Sequence, residues 1–63
     1  DGVERLIDRS RLSRQNRVIA REYLRGEKII DIAVLRDVCM DRSAVGKRIK
    51  NEIMPELKRV ASL

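Results

Sequence analysis

The chain has no His, Trp or Phe, and only one Cys, one Tyr and one Pro among its 63 residues. A single cysteine excludes an internal disulfide, and without His the ligands of an ordinary zinc site are missing. A small secreted domain held together by disulfides is therefore excluded, and a reducing, intracellular setting is expected. We expect neither a metal nor a cofactor.

Long apolar runs are missing as well. The stretch 32–35 is far too short to cross a bilayer, and no charged segment followed by an apolar one indicates a signal peptide. The sequence also lacks a histidine base, a glycine-rich phosphate loop and a nucleophile motif. A chain this short cannot enclose a substrate pocket. We therefore expect no membrane association, no enzyme activity and no small-molecule substrate.

The length of 63 residues allows one small domain. Its core must be thin and aliphatic, because 40% of the residues are charged and Tyr23 is the sole aromatic residue. Apolar burial and conformational entropy nearly cancel at this size. We expect a homodimer interface or a neighbouring domain of a parent protein to add stability. The first residue, Asp1 rather than Met, fits a processed chain or an excised domain.

Positive charge prevails and is concentrated in two blocks. The chain has 15 Lys and Arg against 10 Asp and Glu, a net charge of +5. Residues 13–25 carry four arginines against one glutamate, and residues 42–63 carry six basic residues against two glutamates. Acids are in excess in residues 26–41. Basic blocks of this kind favour a polyanion such as nucleic acid as partner.

Helix signals recur along the chain, and strong strand signals are missing. Residues 1–12 are predicted to form an N-terminal arm or short helix ahead of a helical domain, residues 13–63. Ser13 is a typical N-cap and Gly26 a typical C-terminal stop for the first helix of that domain. Its arginines lie along one edge, with no acid four residues further on from any of them. This arginine edge consists of Arg14, Arg17, Arg21 and Arg25.

Two more helices are predicted between residues 31 and 54. Asp31 is a candidate cap for a short helix through Val38, and Asp41 for a longer helix from residue 42 to about 54. Residues 39–41 would form the tight turn between them.

An apolar stripe defines the buried side of the longer helix, where Val45, Ile49 and Ile53 recur every four residues. Pro55 disfavours helical geometry just before it and suits the first turn of a last helix. The predicted fold class is all-α, a small bundle of three to four helices. The inward side chains of the last helix are predicted to be Leu57, Val60 and Ala61.

Two helices joined by a three-residue turn, the second with a basic outer face, resemble the helix-turn-helix of DNA-binding regulators. The similarity covers residues 31–50, about a third of the chain. The small, aliphatic and capping residues expected at the ninth, tenth and eleventh places of that pattern are Cys39, Met40 and Asp41. Its apolar fourth, eighth and fifteenth places hold Val34, Val38 and Val45.

The chain departs from the pattern at three places. Leu35 stands where a small alanine usually lets the two helices touch, and Cys39 stands where glycine is most common. Arg48 occupies a place that is usually apolar. We expect Cys39 to be a small buried side chain.

The resemblance implies a sequence-specific DNA-binding domain of a bacterial or phage-type transcriptional regulator, located in the cytoplasm or nucleoid. Helix 42–54 would lie in the major groove of double-stranded DNA, and the arginine edge would contact the phosphate backbone. The residues predicted to contact DNA from helix 42–54 are Arg42, Ser43, Gly46, Lys47, Lys50 and Asn51.

Two other classes of partner stay open. The chain also fits a basic helical protein-interaction module that docks an acidic partner, such as a polymerase or capsid subunit. RNA binding is disfavoured, because readers of single-stranded RNA stack bases on several aromatic residues and this chain has only Tyr23. Either basic face would also be explained by ordinary solvation of a helix surface.

Overall fold

The computed structural model describes residues 2–63, so the first residue of the predicted segment 1–12 lies outside it. The described residues confirm the predicted fold class, a small all-α bundle without strands. A π-helical segment, Ile49–Ile53, joins the last two helices. The helices are α1 (Gly2–Arg9), α2 (Arg14–Leu24), α3 (Ile29–Ala33), α4 (Arg42–Arg48) and α5 (Met54–Ala61).

Helix α2 begins and ends as predicted. The Ser13 Oγ accepts a hydrogen bond from the backbone N–H of Asn16 at 3.2 Å, the usual N-cap contact. Gly26 follows the helix with a φ of +93°, a left-handed conformation that glycine adopts without a steric penalty. Ile19 and Ala20 are fully buried and fix the face that α2 turns towards the core.

Helix α3 is shorter than predicted and has a different cap. It ends at Ala33 instead of continuing to Val38. Lys28 rather than Asp31 occupies its N-cap position, without a side-chain hydrogen bond, and Asp31 lies in the first turn. Its β-branched residues are weak helix formers, so tertiary burial rather than propensity sustains this helix.

An irregular connection, residues 34–41, replaces the predicted three-residue turn. Within it the Cys39 N–H donates to the Leu35 carbonyl at 2.9 Å, and the chain bends back towards α3. Val34, the C-cap residue of α3 and an apolar place in the pattern, is 76% exposed. Cys39 is also exposed, which corrects the expectation of a buried thiol. Asp41 takes the predicted N-cap position of α4 but makes no capping hydrogen bond.

The chain is helical from Arg42 to Ala61, although the sequence predicts a break before Pro55. In the π segment the N–H of Met54 donates to the carbonyl of Ile49, five residues earlier. Proline cannot donate a backbone hydrogen bond, and its ring crowds the carbonyl four residues earlier in a regular α-helix. A wider turn just ahead of Pro55 relieves this conflict, and α5 starts with the proline in its first turn.

The wider turn also keeps one apolar row directed at the core. At about 100° per residue, a spacing of four residues drifts by about 40° at each step of a regular α-helix. More residues per turn in the π segment reduce that drift. The exposed Ala61, predicted to face inward, lies beyond the row. The buried members of the row are Val45, Ile49, Ile53 and Leu57.

The row predicts where the fold is most sensitive to truncation. Ile53→Ala should lower the free energy of unfolding by about 2–5 kcal/mol, because it leaves a cavity in a thin core. The same substitution at Ile30, which is 54% exposed, should change it by less than about 0.5 kcal/mol. Chemical unfolding followed by circular dichroism measures both values. Equal losses would contradict the placement of Ile53 in the core.

Glu56 connects α5 to the segment between α1 and α2. Its Oε2 accepts the backbone N–H of Arg11 at 2.6 Å. The Arg59 guanidinium donates to both carboxylate oxygens, at 2.9 Å from Nε and 2.7 Å from Nη2. These hydrogen bonds lower the pKa of Glu56 from 4.5 to about 2, and those from Arg59 have the largest effect.

A lowered pKa makes the contribution of Glu56 to stability dependent on acid pH. The contribution is complete above the unfolded-state value of 4.5 and is lost as the pH falls through the folded-state value of about 2. Glu56→Gln should therefore have a lower melting temperature than the wild-type protein at pH 7. The difference in melting temperature should disappear as the pH falls from 4.5 to about 2. Melting temperatures across this range measure the effect, with Glu27→Gln as a control for removing one exposed carboxylate. A difference independent of pH would contradict the ionic contact.

Candidate nucleic-acid interface

We name the continuous helical stretch 42–61, which comprises α4, the π segment and α5, the long helix. One exposed side of it carries all six residues that the sequence predicts to contact DNA from helix 42–54. It faces away from the buried row, since Val45 and Ile49 point into the core. Gly46 is partly buried, and the other five residues are exposed. We name this surface the α4 face: Arg42, Ser43, Gly46 and Lys47 on α4, with Lys50 and Asn51 in the π segment.

The cations of the α4 face are not neutralised by neighbouring acids. Arg42, Lys47 and Lys50 form no ion pair among residues 2–63, whereas the ion pairs present there involve other arginines. Lys47 and Lys50 lie three residues apart on one side of the helix, where like charges repel by a few tenths of a kcal/mol. An external anion would relieve this repulsion.

Gly46 has no packing reason to be glycine. A Cβ built at this position would meet no atom within 4 Å. Inside a helix, glycine is destabilising by roughly 0.5–1 kcal/mol relative to alanine. The surface between Arg42 and Lys50 is thus flatter than folding requires, which leaves room for close approach of another molecule.

Part of the arginine edge is already paired. The Glu4 Oε1 of α1 lies 3.2 Å from Arg21 Nε and 3.6 Å from Arg25 Nη2. Arg25 also lies 3.7 Å from a Glu22 oxygen. The absence of an acid four residues further on therefore does not leave Arg21 and Arg25 unpaired, because Glu4 of α1 reaches both.

The other two arginines of the edge remain exposed. Arg17 donates through Nε to the Leu12 carbonyl at 3.3 Å, which leaves its terminal nitrogens for other partners. Arg14 lines an open groove of about 250 Å³ with Gln15, Val18 and Asp37. Neither Arg14 nor Arg17 forms an ion pair among residues 2–63. Of the four predicted phosphate contacts, these two arginines are the ones without an ion pair in the described range.

Arg48 has a role that the sequence analysis does not predict. Its Nη1 donates to Asn16 Oδ1 at 3.0 Å and to Gln15 Oε1 at 3.4 Å. Its Nε lies 3.5 Å from Glu52 Oε2, and Asn16 Nδ2 donates to Glu52 Oε1 at 3.2 Å. We name this group, Gln15, Asn16, Arg48 and Glu52, the polar bridge.

The polar bridge fixes α4 against the elements before it. Gln15 Nε2 donates to the Val38 carbonyl at 2.9 Å, so the bridge extends from α2 to the connection 34–41. Asn16 is only 4% exposed and depends on these partners. One signal was available in the sequence: Asn16 lies three residues before Ile19 on the buried side of α2, where a polar group needs a partner.

Breaking the polar bridge should destabilise the fold. Arg48→Met removes the donor to Asn16 Oδ1, and a buried acceptor without a partner costs about 1–3 kcal/mol. Arg42→Met makes the same change on the same helix without breaking a described contact, and should stay within about 0.5 kcal/mol of wild type. Urea unfolding monitored by circular dichroism separates the two variants. If both unfold at the same urea concentration, the bridge does not contribute to stability.

Comparisons of the chain with known protein families, curated proteins and solved structures found no match. No group of three or more His, Cys, Asp or Glu suited to a metal ion occurs among residues 2–63. None of the helices in this described range is long and apolar enough to span a membrane. A function must therefore be inferred from the chemistry of the chain's own surface.

Proposed function

We propose that this chain is a sequence-specific DNA-binding domain that inserts the α4 face into the major groove of double-stranded DNA. The observation that carries the proposal is a set of three exposed cations on that face that form no ion pair with any of residues 2–63: Arg42, Lys47 and Lys50. Lysine and arginine donate to guanine or to phosphate, and asparagine pairs with adenine in the major groove. Asn51 lies beside the cations with its side chain exposed.

The elements ahead of α4 support a helix-turn-helix type of arrangement. Helix α3 packs against α4. Cys39, at the place where the pattern usually has glycine, has a φ of +45°, in the left-handed region that favours glycine. Val38 and Val45, at two of its apolar places, are buried. The connection 34–41 is longer than the usual turn, so we propose the arrangement without the usual spacing.

The two basic surfaces would have different roles. Gly46 would let the α4 face approach the edges of the bases, where sequence is read. Arg14 and Arg17 would contact the phosphate backbone beside the groove, which positions a domain without reading sequence. Arg21 and Arg25 would add less, because binding a phosphate would compete with their ion pairs to Glu4. The proposal includes a role as a bacterial or phage-type transcriptional regulator, and this part of it rests only on the resemblance to helix-turn-helix proteins.

An acidic protein partner is the alternative that the same cations allow. Unpaired cations attract carboxylates as well as phosphates, but only DNA releases condensed counterions in proportion to the number of phosphates contacted. The dependence of binding on salt therefore separates the two partners.

The proposal predicts which cations set the salt dependence of DNA binding. On a random-sequence duplex the two lysines of the α4 face would contact phosphates instead of a chosen base. Lys47→Gln combined with Lys50→Gln should therefore lower the magnitude of the log–log salt slope by about 2, at about 0.9 for each phosphate contact. Arg21→Gln combined with Arg25→Gln removes the same charge from arginines that are already paired, and should lower the slope by clearly less. Fluorescence anisotropy with a random-sequence duplex at several salt concentrations gives each slope.

Several outcomes would overturn the proposal. One is a wild-type protein that does not bind duplex DNA even at low salt. Another is an equal change of slope in both double variants, which would mean that net charge rather than the α4 face determines binding. For sequence specificity, duplexes selected from a random pool must bind more tightly than the pool at the same salt concentration.

A further inference from the structure

Two exposed aliphatic side chains project from α3 and the residue after it. Ile30 is 54% exposed and Val34 is 76% exposed. They are four residues apart, the spacing that places side chains on the same side of a helix. We name this pair the α3 knob.

A groove of about 290 Å³ lies between α1 and the C-terminal part of the chain. Its apolar part includes Leu63, which is 83% exposed. Arg5 and Arg9 line it, no acid of residues 2–63 does, and neither arginine forms an ion pair within this described range. We name it the α1–α5 groove, and its lining residues are Gly2, Arg5, Leu6, Arg9, Val60, Ala61 and Leu63.

Acidic residues accompany the α3 knob. Glu27, Asp31 and Asp37 are exposed and form no ion pair among residues 2–63. Lys28 and Arg36 offset part of this charge, but residues 26–41 keep four acids against two bases, a net charge of −2. The α3 knob thus belongs to a segment with net negative charge, whereas the charged residues that line the α1–α5 groove in the described range are both basic.

We infer that the α3 knob of one copy of this chain docks in the α1–α5 groove of a second copy. The occupant follows from charge complementarity, because each surface offers what the other lacks. A two-fold symmetric contact of either surface with itself would bring like charges together. Within one chain the two surfaces do not meet, since α3 packs on α2 and α4 whereas α1 packs on α2 and α5.

If both contacts form at once, the knob of each copy docks in the groove of the other and a closed two-fold dimer results. If only one contact forms, every pair keeps one free knob and one free groove. Such heterologous contacts add further copies unless the geometry closes a ring. Both surfaces are small, so the association is weak and depends on concentration. This inference is independent of DNA binding and can fail or hold separately from it.

The test uses two variants that each block one surface. Val34→Lys puts a charge on the α3 knob and leaves the α1–α5 groove unchanged. Arg9→Glu reverses a charge in the groove and leaves the knob unchanged. In analytical ultracentrifugation up to about 1 mM, as suits a weak interface, the average mass of the wild-type protein should rise with concentration above 7.3 kDa. Each variant alone should remain monomeric, and an equimolar mixture should form a dimer with one copy of each.

Controls keep each outcome decisive. Lys50→Glu makes the same charge change as Arg9→Glu on the α4 face, and should associate like the wild-type protein. Ile30→Lys and Arg5→Glu form a second pair that tests the same contact if either first variant does not fold. A wild-type protein that stays monomeric, or variants that are not complementary on mixing, would overturn the inference. A wild-type mass that stops at a dimer, with variants that complement each other on mixing, would indicate the reciprocal two-fold form of this contact.

Discussion

The orientation of the α4 face depends on one buried amide. Asn16 is satisfied by Arg48 and Glu52, which belong to the long helix whose outer side carries Lys47 and Lys50. An aliphatic row tolerates small shifts of one helix on another, because apolar contact is not directional. Hydrogen bonds to a buried amide do not tolerate them, since each broken bond leaves a polar group unsatisfied. The row stabilises the bundle, and the polar bridge sets the rotation of α4 about its axis.

The π segment links this orientation to the rest of the chain. A regular α-helix through Pro55 would carry the apolar row away from the core, and a break there would separate α5 from α4. The wider turn keeps the helix continuous, so Glu56 reaches the backbone of Arg11 from the same helix that carries the α4 face. Contacts at the two ends of the long helix therefore restrain each other through a continuous backbone.

Signals that act over a few residues predicted the structure well. Ser13 and Gly26 delimit α2 because a cap and a left-handed stop have local physical causes. The end of α3 was not predictable in this way, since tertiary burial rather than propensity decides how far a β-branched helix extends. The spacing of four residues from Val45 to Leu57 across a proline is a signal for a wider turn, although Pro55 on its own predicts two separate helices. Pairing of Arg21 with Glu4 requires knowing that α1 packs against α2.

Net charge alone does not distinguish a binding surface from a well-paired helix, but the arrangement of partners does. The arginines at positions 21, 25, 48 and 59 pair with acids within the fold, so they hold elements together. The cations of the α4 face have no such partner in the described part of the chain, and Lys47 and Lys50 repel each other in the free protein. Weak contacts between copies would gain strength where DNA holds several copies side by side, because a high effective concentration replaces affinity. A domain too small for a large core would in this way obtain from its ligand and its neighbours the stability that its own interior does not provide.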